Sequence, residues 1–311
     1  VIAMDAGQIS FWGVLLGGAV RLATPITLAA LGETLVERGG IVNLGIEGMM
    51  ALGAFLGVWG ASTQSWGTGL LLGAIAGGSL GLLMGLAVLK GGVNQIVAGI
   101  AITLLGIGLA DYLFQVWQPS GRSAVVVPLV PIVRLPLFER LPVIGGAFFA
   151  QSPLTYLAVV AVLVTSFALR RTTPGLKLRA VGDDPDAAEL RGVDVIAARI
   201  VSLILGGALA GFAGATITVG YLGSFSSDVT AGRGYVAIAV VIIGRWSPIG
   251  AMLGALVFAL FDSVALLAQS GSIGLPVEFF SSLPYAMTLV ALVLTARAHH
   301  APRALGRGLN D

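Results

Sequence analysis

Runs of about twenty apolar residues recur along this chain, and they constrain its fold more than any motif does. A helix needs roughly 20 mainly apolar residues to cross the hydrocarbon core of a bilayer. That ruler marks about nine segments, near 11–32, 43–61, 66–89, 94–117, 153–169, 198–222, 233–246, 249–269 and 279–296. Only 10% of the 311 residues are charged and 57% are hydrophobic, whereas soluble domains carry about 25% charged residues. The balance excludes a water-soluble enzyme and predicts an all-α, polytopic transmembrane helix bundle, with residues 1–311 forming a single transmembrane domain. A net charge of +2 offers no footing for nucleic acid. Cysteine is absent, so disulfides and thiolate metal sites are excluded. The two histidines, His299 and His300, lie in a polar tail, away from the apolar runs. Asp5 and the lack of a basic n-region argue against a removable signal peptide.

The seventh segment is short for a full crossing, so 223–246 is expected to be a broken or re-entrant element, covered by protein or facing a water-filled cavity. The distribution of Lys and Arg sets the orientation. With the 118–152 connection outside, twelve basic residues from Arg38 to Arg307 fall inside, against Arg122, Arg134, Arg140 and Arg233 outside. The N-terminus is then external and the C-terminus cytoplasmic. Strings such as GGALAGFAGA supply small residues for close helix contact, the usual means of holding a membrane bundle together.

Two connections are long. The external one holds Pro119, Pro128, Pro131, Pro136, Pro142 and Pro153, which bar a long helix and predict a short or irregular cap. The internal one, about 170–199, is the only strongly charged stretch. In it Asp183 or Asp184 can cap a short helix that has Pro185 in its first turn and runs through Ala187, Ala188 and Glu189 to a stop at Gly192. Such a helix is either a docking knob or an ordinary solvated loop.

Polar residues inside apolar spans are costly unless paired or wetted, and they mark solute routes or interhelical ties. The stretch 33–53 carries Glu33, Glu37, Arg38, Asn43 and Glu47. Elsewhere stand Arg21, Asn94, Gln95, Asp111 and Asp262. Asn94 and Gln95 open a span, either as a helix start or as amides that hydrogen-bond a solute. Glu47 and Asp262 admit an ion-coupled carrier, although among the same spans only Arg21 is basic. Phe225, Tyr221 and Tyr235 flank SFSSD, where stacking on a flat ligand competes with interfacial anchoring. GRGYVA at 232–237 formally fits a dinucleotide-binding pattern, but without a preceding strand it reads as a glycine-hinged helix start. ATP hydrolysis on this chain would need a glycine-rich loop ending in Gly-Lys-Ser/Thr. Its two lysines, Lys90 and Lys177, both follow leucine.

Together, LGETLVERGGIVNLGIEGMMALGAF, NQIVAGIAITLLGIGL, AVGDDPDAAELRGVDV and GYVAIAVVIIGRWSPIGAMLGALVF resemble permease subunits of bacterial ABC importers for ribose, branched-chain amino acids and nucleosides. NLGIEGMM is most similar to the nucleoside permeases, and Gly40 to Gly45 departs from the G-I-D-L-S-V-G-like string of the sugar branch. The resemblance implies a type II importer permease in the bacterial cytoplasmic (inner) membrane, working by alternating access. It implies three partners: a second, non-identical permease, an ABC ATPase subunit with two nucleotide-binding domains, and an external lipoprotein that delivers nucleoside. This chain then binds no cofactor, and ATP and Mg are used by the ATPase. Asp183, Asp184, Pro185, Ala187, Ala188, Glu189 and Gly192 would form the ATPase coupling site, and Asn43, Glu47, Asn94, Gln95 and Phe225 would line the substrate pathway. Glu47 would either bind ribose or base or tie two helices. A sugar permease and an ion-coupled carrier are the alternatives.

Overall fold

The structure is a computed structural model that describes residues 6–118, 125–134, 144–270 and 301–307, with 282, 286 and 293 singly. Among these residues it is helical apart from one ladder of two short strands. The helices are α1 (Ala6–Arg38), α2 (Ile46–Thr63), α3 (Trp66–Gly85), α4 (Gln95–Trp117), α5 (Ile144–Phe149), α6 (Pro153–Arg171), α7 (Thr173–Asp183), α8 (Pro185–Leu190), α9 (Val195–Ile217), α10 (Arg233–Ile243) and α11 (Pro248–Ser270). Wider π turns extend α3 over Leu86–Lys90 and α9 over Thr218–Leu222.

Six described helices are long and apolar enough to cross a membrane: α1, α3, α4, α6, α9 and α11. That is fewer than the nine expected. α2 occupies the expected second position, but Glu47 and its glycines dilute its apolar character. The expected ninth segment, 279–296, lies almost wholly outside the described residues.

α2 is nevertheless the centre of the bundle, buried at every residue except Leu56, Trp59, Ser62 and Thr63. Glycine makes this possible. A Cβ on Gly53 would run into the backbone of Gly211 in α9, and one on Gly77 in α3 into that of Gly207. α2, α3 and α9 thus approach backbone to backbone, the small-residue packing that substitutes for hydrophobic collapse in lipid.

The seventh segment is broken, as its length suggested. After the left-handed Gly223 (φ 73°) the chain turns back along α2. Phe225 meets Phe55, and the Gly232 N–H reaches Glu47, two turns nearer the start of α2. Only there does the eleven-residue α10 begin. Arg233 opens α10, half-buried, between Gly232 and Gly234, whose N–H groups both reach Glu47. The proline-rich connection caps α9: Val127 and Val130 donate their N–H groups to Gly223 O at 2.8 Å and Val219 O at 3.2 Å. Its strand β1 (Val133–Arg134) pairs antiparallel with β2 (Ala150–Gln151). Pro119, Pro136 and Pro142 lie outside the described residues.

The charged connection holds two helices rather than one. Thr172 caps α7 by accepting the Gly175 N–H at 3.3 Å, with Pro174 in the first turn. Val181, Ala188 and Val195 form a small apolar cluster separate from the main core, and it pins α8 to α7 and α9.

Candidate functional site

The polar residues converge where α1 ends, α2 and α10 begin, and α10 turns into α11. Glu33 and Glu37 are four residues apart, hence on one face of α1, and both are buried. Glu33 Oε1 accepts the Asn43 N–H at 3.2 Å. Glu37 Oε2 accepts the Trp246 indole N–H, and Arg38 Nε donates to Trp246 O at 2.8 Å. Arg245 and Trp246 both have positive φ, 57° and 53°. Left-handed backbone at a non-glycine residue costs about 1–3 kcal/mol and persists only where its surroundings over-determine it. Here the indole and carbonyl ties of Trp246 fix the turn.

Asn43 is buried, and its polar groups are used locally. Its Oδ1 accepts the Gly45 N–H at 3.0 Å, making the tight turn that leads into α2. Its Nδ2 lies 3.8 Å from Met49 Sδ. Leu44 O accepts from Thr103 Oγ1 at 2.8 Å, which anchors the same turn to α4.

Glu47 caps a helix other than its own. Its Oε1 accepts the Gly232 N–H at 3.0 Å and its Oε2 the Gly234 N–H at 2.6 Å. A helix start leaves four N–H groups unpaired, and Gly232, the residue before α10, has no side chain with which to cap it. The carboxylate of Glu47 does so from α2 and meets the positive end of the α10 dipole. Both glycines of GRGY are thereby explained. Gly232 is left-handed (φ 76°), and a Cβ on Gly234 would stand 2.8 Å from Glu47 Cα. The glycine-hinged helix start read in the sequence is what the chain forms.

Arg233 also faces Asp262 of α11 at 3.9 Å, both half-buried. The sequence had offered only Arg21 as a basic residue near the interior carboxylates, yet Arg21 is exposed and Arg233 is the partner of Asp262.

The other pathway candidates are also engaged with the protein. Exposed Asn94 caps α4, its Oδ1 accepting from the N–H groups of Ile96 and Val97 at 2.9 and 3.4 Å. Buried Gln95 accepts the Val42 N–H at 3.0 Å and donates to Arg307 O at 3.1 Å. Buried Phe225 packs against Phe114 and Phe55, with ring centroids 5.0 and 5.6 Å away, and Trp117 lies 6.2 Å from Phe55.

The coupling candidates stand apart. Asp184 is the cap of α8, its Oδ1 accepting the Ala187 N–H at 3.0 Å. Asp183 is the last residue of α7, exposed beside it. Pro185 opens α8, and Ala188 alone of the group is buried. Ala187 and Glu189 are exposed, and Gly192 is left-handed (φ 78°) just past the helix end. Leu190 was not singled out in the sequence. It is 90% exposed, an apolar tip on a charged helix. The signal was a leucine just before the glycine stop of a capped helix.

Residues 15–292 match the family model described as branched-chain amino acid transport system / permease component. The nucleoside ABC transporter permease protein NupC of Lactococcus lactis subsp. cremoris (strain MG1363) is 34% identical over 305 residues, 94% of this chain and 95% of that protein. NupB, a nucleoside ABC transporter permease protein of the same strain, is a more distant match at 24% over 270 residues, 80% of this chain and 72% of its own. The putative glucose ABC transporter permease protein TsgC13 of Haloferax volcanii is 38% identical over 267 residues, 86% of this chain and 81% of its own. No solved structure matches the chain. With a family model that covers nearly the whole sequence and relatives aligned almost end to end, this chain belongs to the ABC importer permease family of branched-chain amino acid transport system permease components.

Proposed function

We propose that this permease subunit forms, with a second and non-identical permease, the path by which nucleosides enter a bacterial cell. The observation that carries the choice of a neutral solute is Glu47 on the start of α10. In transporters, half-helix N-termini inside the membrane commonly hold an anionic group of the substrate. Here the protein's own carboxylate fills that position, and Arg233 is matched by Asp262. Compensated charges suit a neutral solute with many hydrogen-bond groups better than a zwitterionic amino acid. Likeness to NupC, along with the NLGIEGMM string, favours nucleosides over the sugar named for TsgC13. The two Lactococcus matches, NupC and NupB, favour a non-identical second permease.

The fold is of type II importer kind with about nine crossings: six long helices, α2, the broken element ending in α10, and the 279–296 segment. Asn43, Glu47, Asn94, Gln95 and Phe225 border the path, and their hydrogen bonds and packing favour bracing over direct contact with solute. An ABC ATPase with two nucleotide-binding domains docks on α7–α8 from the cytoplasm and uses ATP and Mg. An external lipoprotein delivers the solute. The chain sits in the cytoplasmic (inner) membrane with an external N-terminus and a cytoplasmic C-terminus, following its basic residues. Family membership sets aside the ion-coupled carrier.

The test is uptake by the complete complex in proteoliposomes, with purine nucleosides, pyrimidine nucleosides, ribose, glucose and leucine compared at equal concentration. Nucleosides should accumulate with ATP and compete with one another. Accumulation of leucine or glucose without nucleoside would replace this reading.

A further inference from the structure

The 301–307 stretch bonds to both sides of the junction between α7 and the α1–α2 turn. The Ala304 N–H donates to Gly182 O at 2.9 Å, and the Gly306 N–H donates to Gly40 O at 3.1 Å. Arg307 O accepts from Gln95 Nε2 at 3.1 Å, and the same Gln95 holds the Val42 N–H. Ala304 is fully buried. The crossing is tight: a Cβ on Gly40 would stand 3.1 Å from Arg199 Nη2 and 3.3 Å from Ala304 O. Buried Arg199 adds a tie, its Nε donating to Gly39 O at 3.0 Å, while its Nη2 has no hydrogen-bond partner among the described residues.

We propose that residues 301–307 form a strap that carries displacement of α7–α8 into the 39–45 turn, with Gln95 as its positioning residue. The proposal rests on the docking role of α7–α8 given above. α7 and α8 share with Val195, at the start of α9, a small apolar cluster separate from the main core, so a push on α8 is passed to α7. Gly182 is where α7 meets the strap, and it also packs directly on the backbone of Arg38 and Gly40; Gly40, Val42 and Gln95 are where the strap and its tie meet the turn. From the turn the same line of hydrogen bonds continues, through Asn43 to Glu33 and through Leu44 to Thr103. A contiguous set of ties between two elements gives coupling a route, and the coupling itself is established only by breaking it.

Because the chain lacks cysteine, one introduced at Leu44 is a unique probe of the turn. In the complete complex its maleimide labelling rate should change when ATP binds, whatever the solute. Gln95→Glu keeps an oxygen for the Val42 N–H but removes the donor to Arg307, and Ala304→Pro removes the N–H to Gly182. Each should abolish at least about nine-tenths of the ATP-dependent change, with the ATPase still co-purifying. An unaltered change in both variants overturns the strap. So does a wild-type complex whose residue 44 does not respond to ATP, or loss of the ATPase with Gln95→Glu, which would make the segment a docking scaffold. Failure of α8 to dock the ATPase is read separately, from co-purification with an α8 variant.

Discussion

The two polar regions of this protein solve opposite problems. In the 33–47 and 232–247 region, Glu33, Glu37, Asn43 and Glu47 are buried; the three carboxylates accept N–H groups of another element or turn, and Asn43 accepts one within its own turn. In the 172–194 region the charged residues other than half-buried Arg179 are exposed, and the apolar Leu190 stands in the open. The first region carries polarity into a bilayer protein by bonding most of it internally, since an unmet buried group costs about 1–3 kcal/mol, although Glu33 Oε2 has no hydrogen-bond partner among the described residues. The second presents what a partner can cover. Polar residues in a membrane sequence therefore do not by themselves mark a solute site; what matters is whether the protein has already used them.

Substitutions can break this contrast, beginning with the largest effect. Glu47→Leu leaves two N–H groups of the α10 start unmet, the part-buried one of Gly232 and the buried one of Gly234. Uptake should fall at least about tenfold, with faster hydrogen exchange at residues 232–236, given about 1–3 kcal/mol per orphaned group. Glu47→Gln keeps one oxygen acceptor and should fall less. Equal loss in both would point to the charge rather than the cap. Gly234→Ala forces a methyl against Glu47 and should lower thermal stability by about 1–3 kcal/mol, seen as an earlier melting transition of the solubilised protein. In the exposed region, Asp184→Ala removes the α8 cap at a cost of about 1 kcal/mol. It should speed proteolysis near 185–192 without moving the main melting transition. Asn94→Leu should have the smallest effect, because water can replace the cap of an exposed helix start. A marked change in the KM for uptake would return Asn94 to direct solute contact.

Much of this contrast was legible in the sequence, though unevenly. Long apolar runs announced the spanning helices, and Asp184-Pro185 with Gly192 announced α8, because caps and stops are local chemistry. α7 was missed although Thr172-Pro174 is the same kind of signal, since Gly175 and Gly182 argue against a helix until their close packing on Ala168 and Arg38 is seen. The polarity of 33–53 was visible, but its partners were not. Glu47 meets Gly232 and Gly234 across 185 and 187 residues, and Trp246 meets Glu37 across 209. No local pattern encodes such pairings. The pairing of Arg233 with Asp262 was hidden for a related reason: the seventh segment begins its helix only after folding back along α2.

The central claim is that the exposed α8, rather than the buried polar region, is where an ATPase drives this permease. Leu190→Asp in the otherwise complete complex tests it directly, with ATPase co-purification and ATP-dependent nucleoside uptake measured on the same preparation. Both should fall together by about tenfold or more, as for loss of an interface hot spot worth ≥ ~2 kcal/mol, while the melting transition stays put. Full uptake in a variant that no longer retains the ATPase, or undiminished retention of the ATPase, would contradict it.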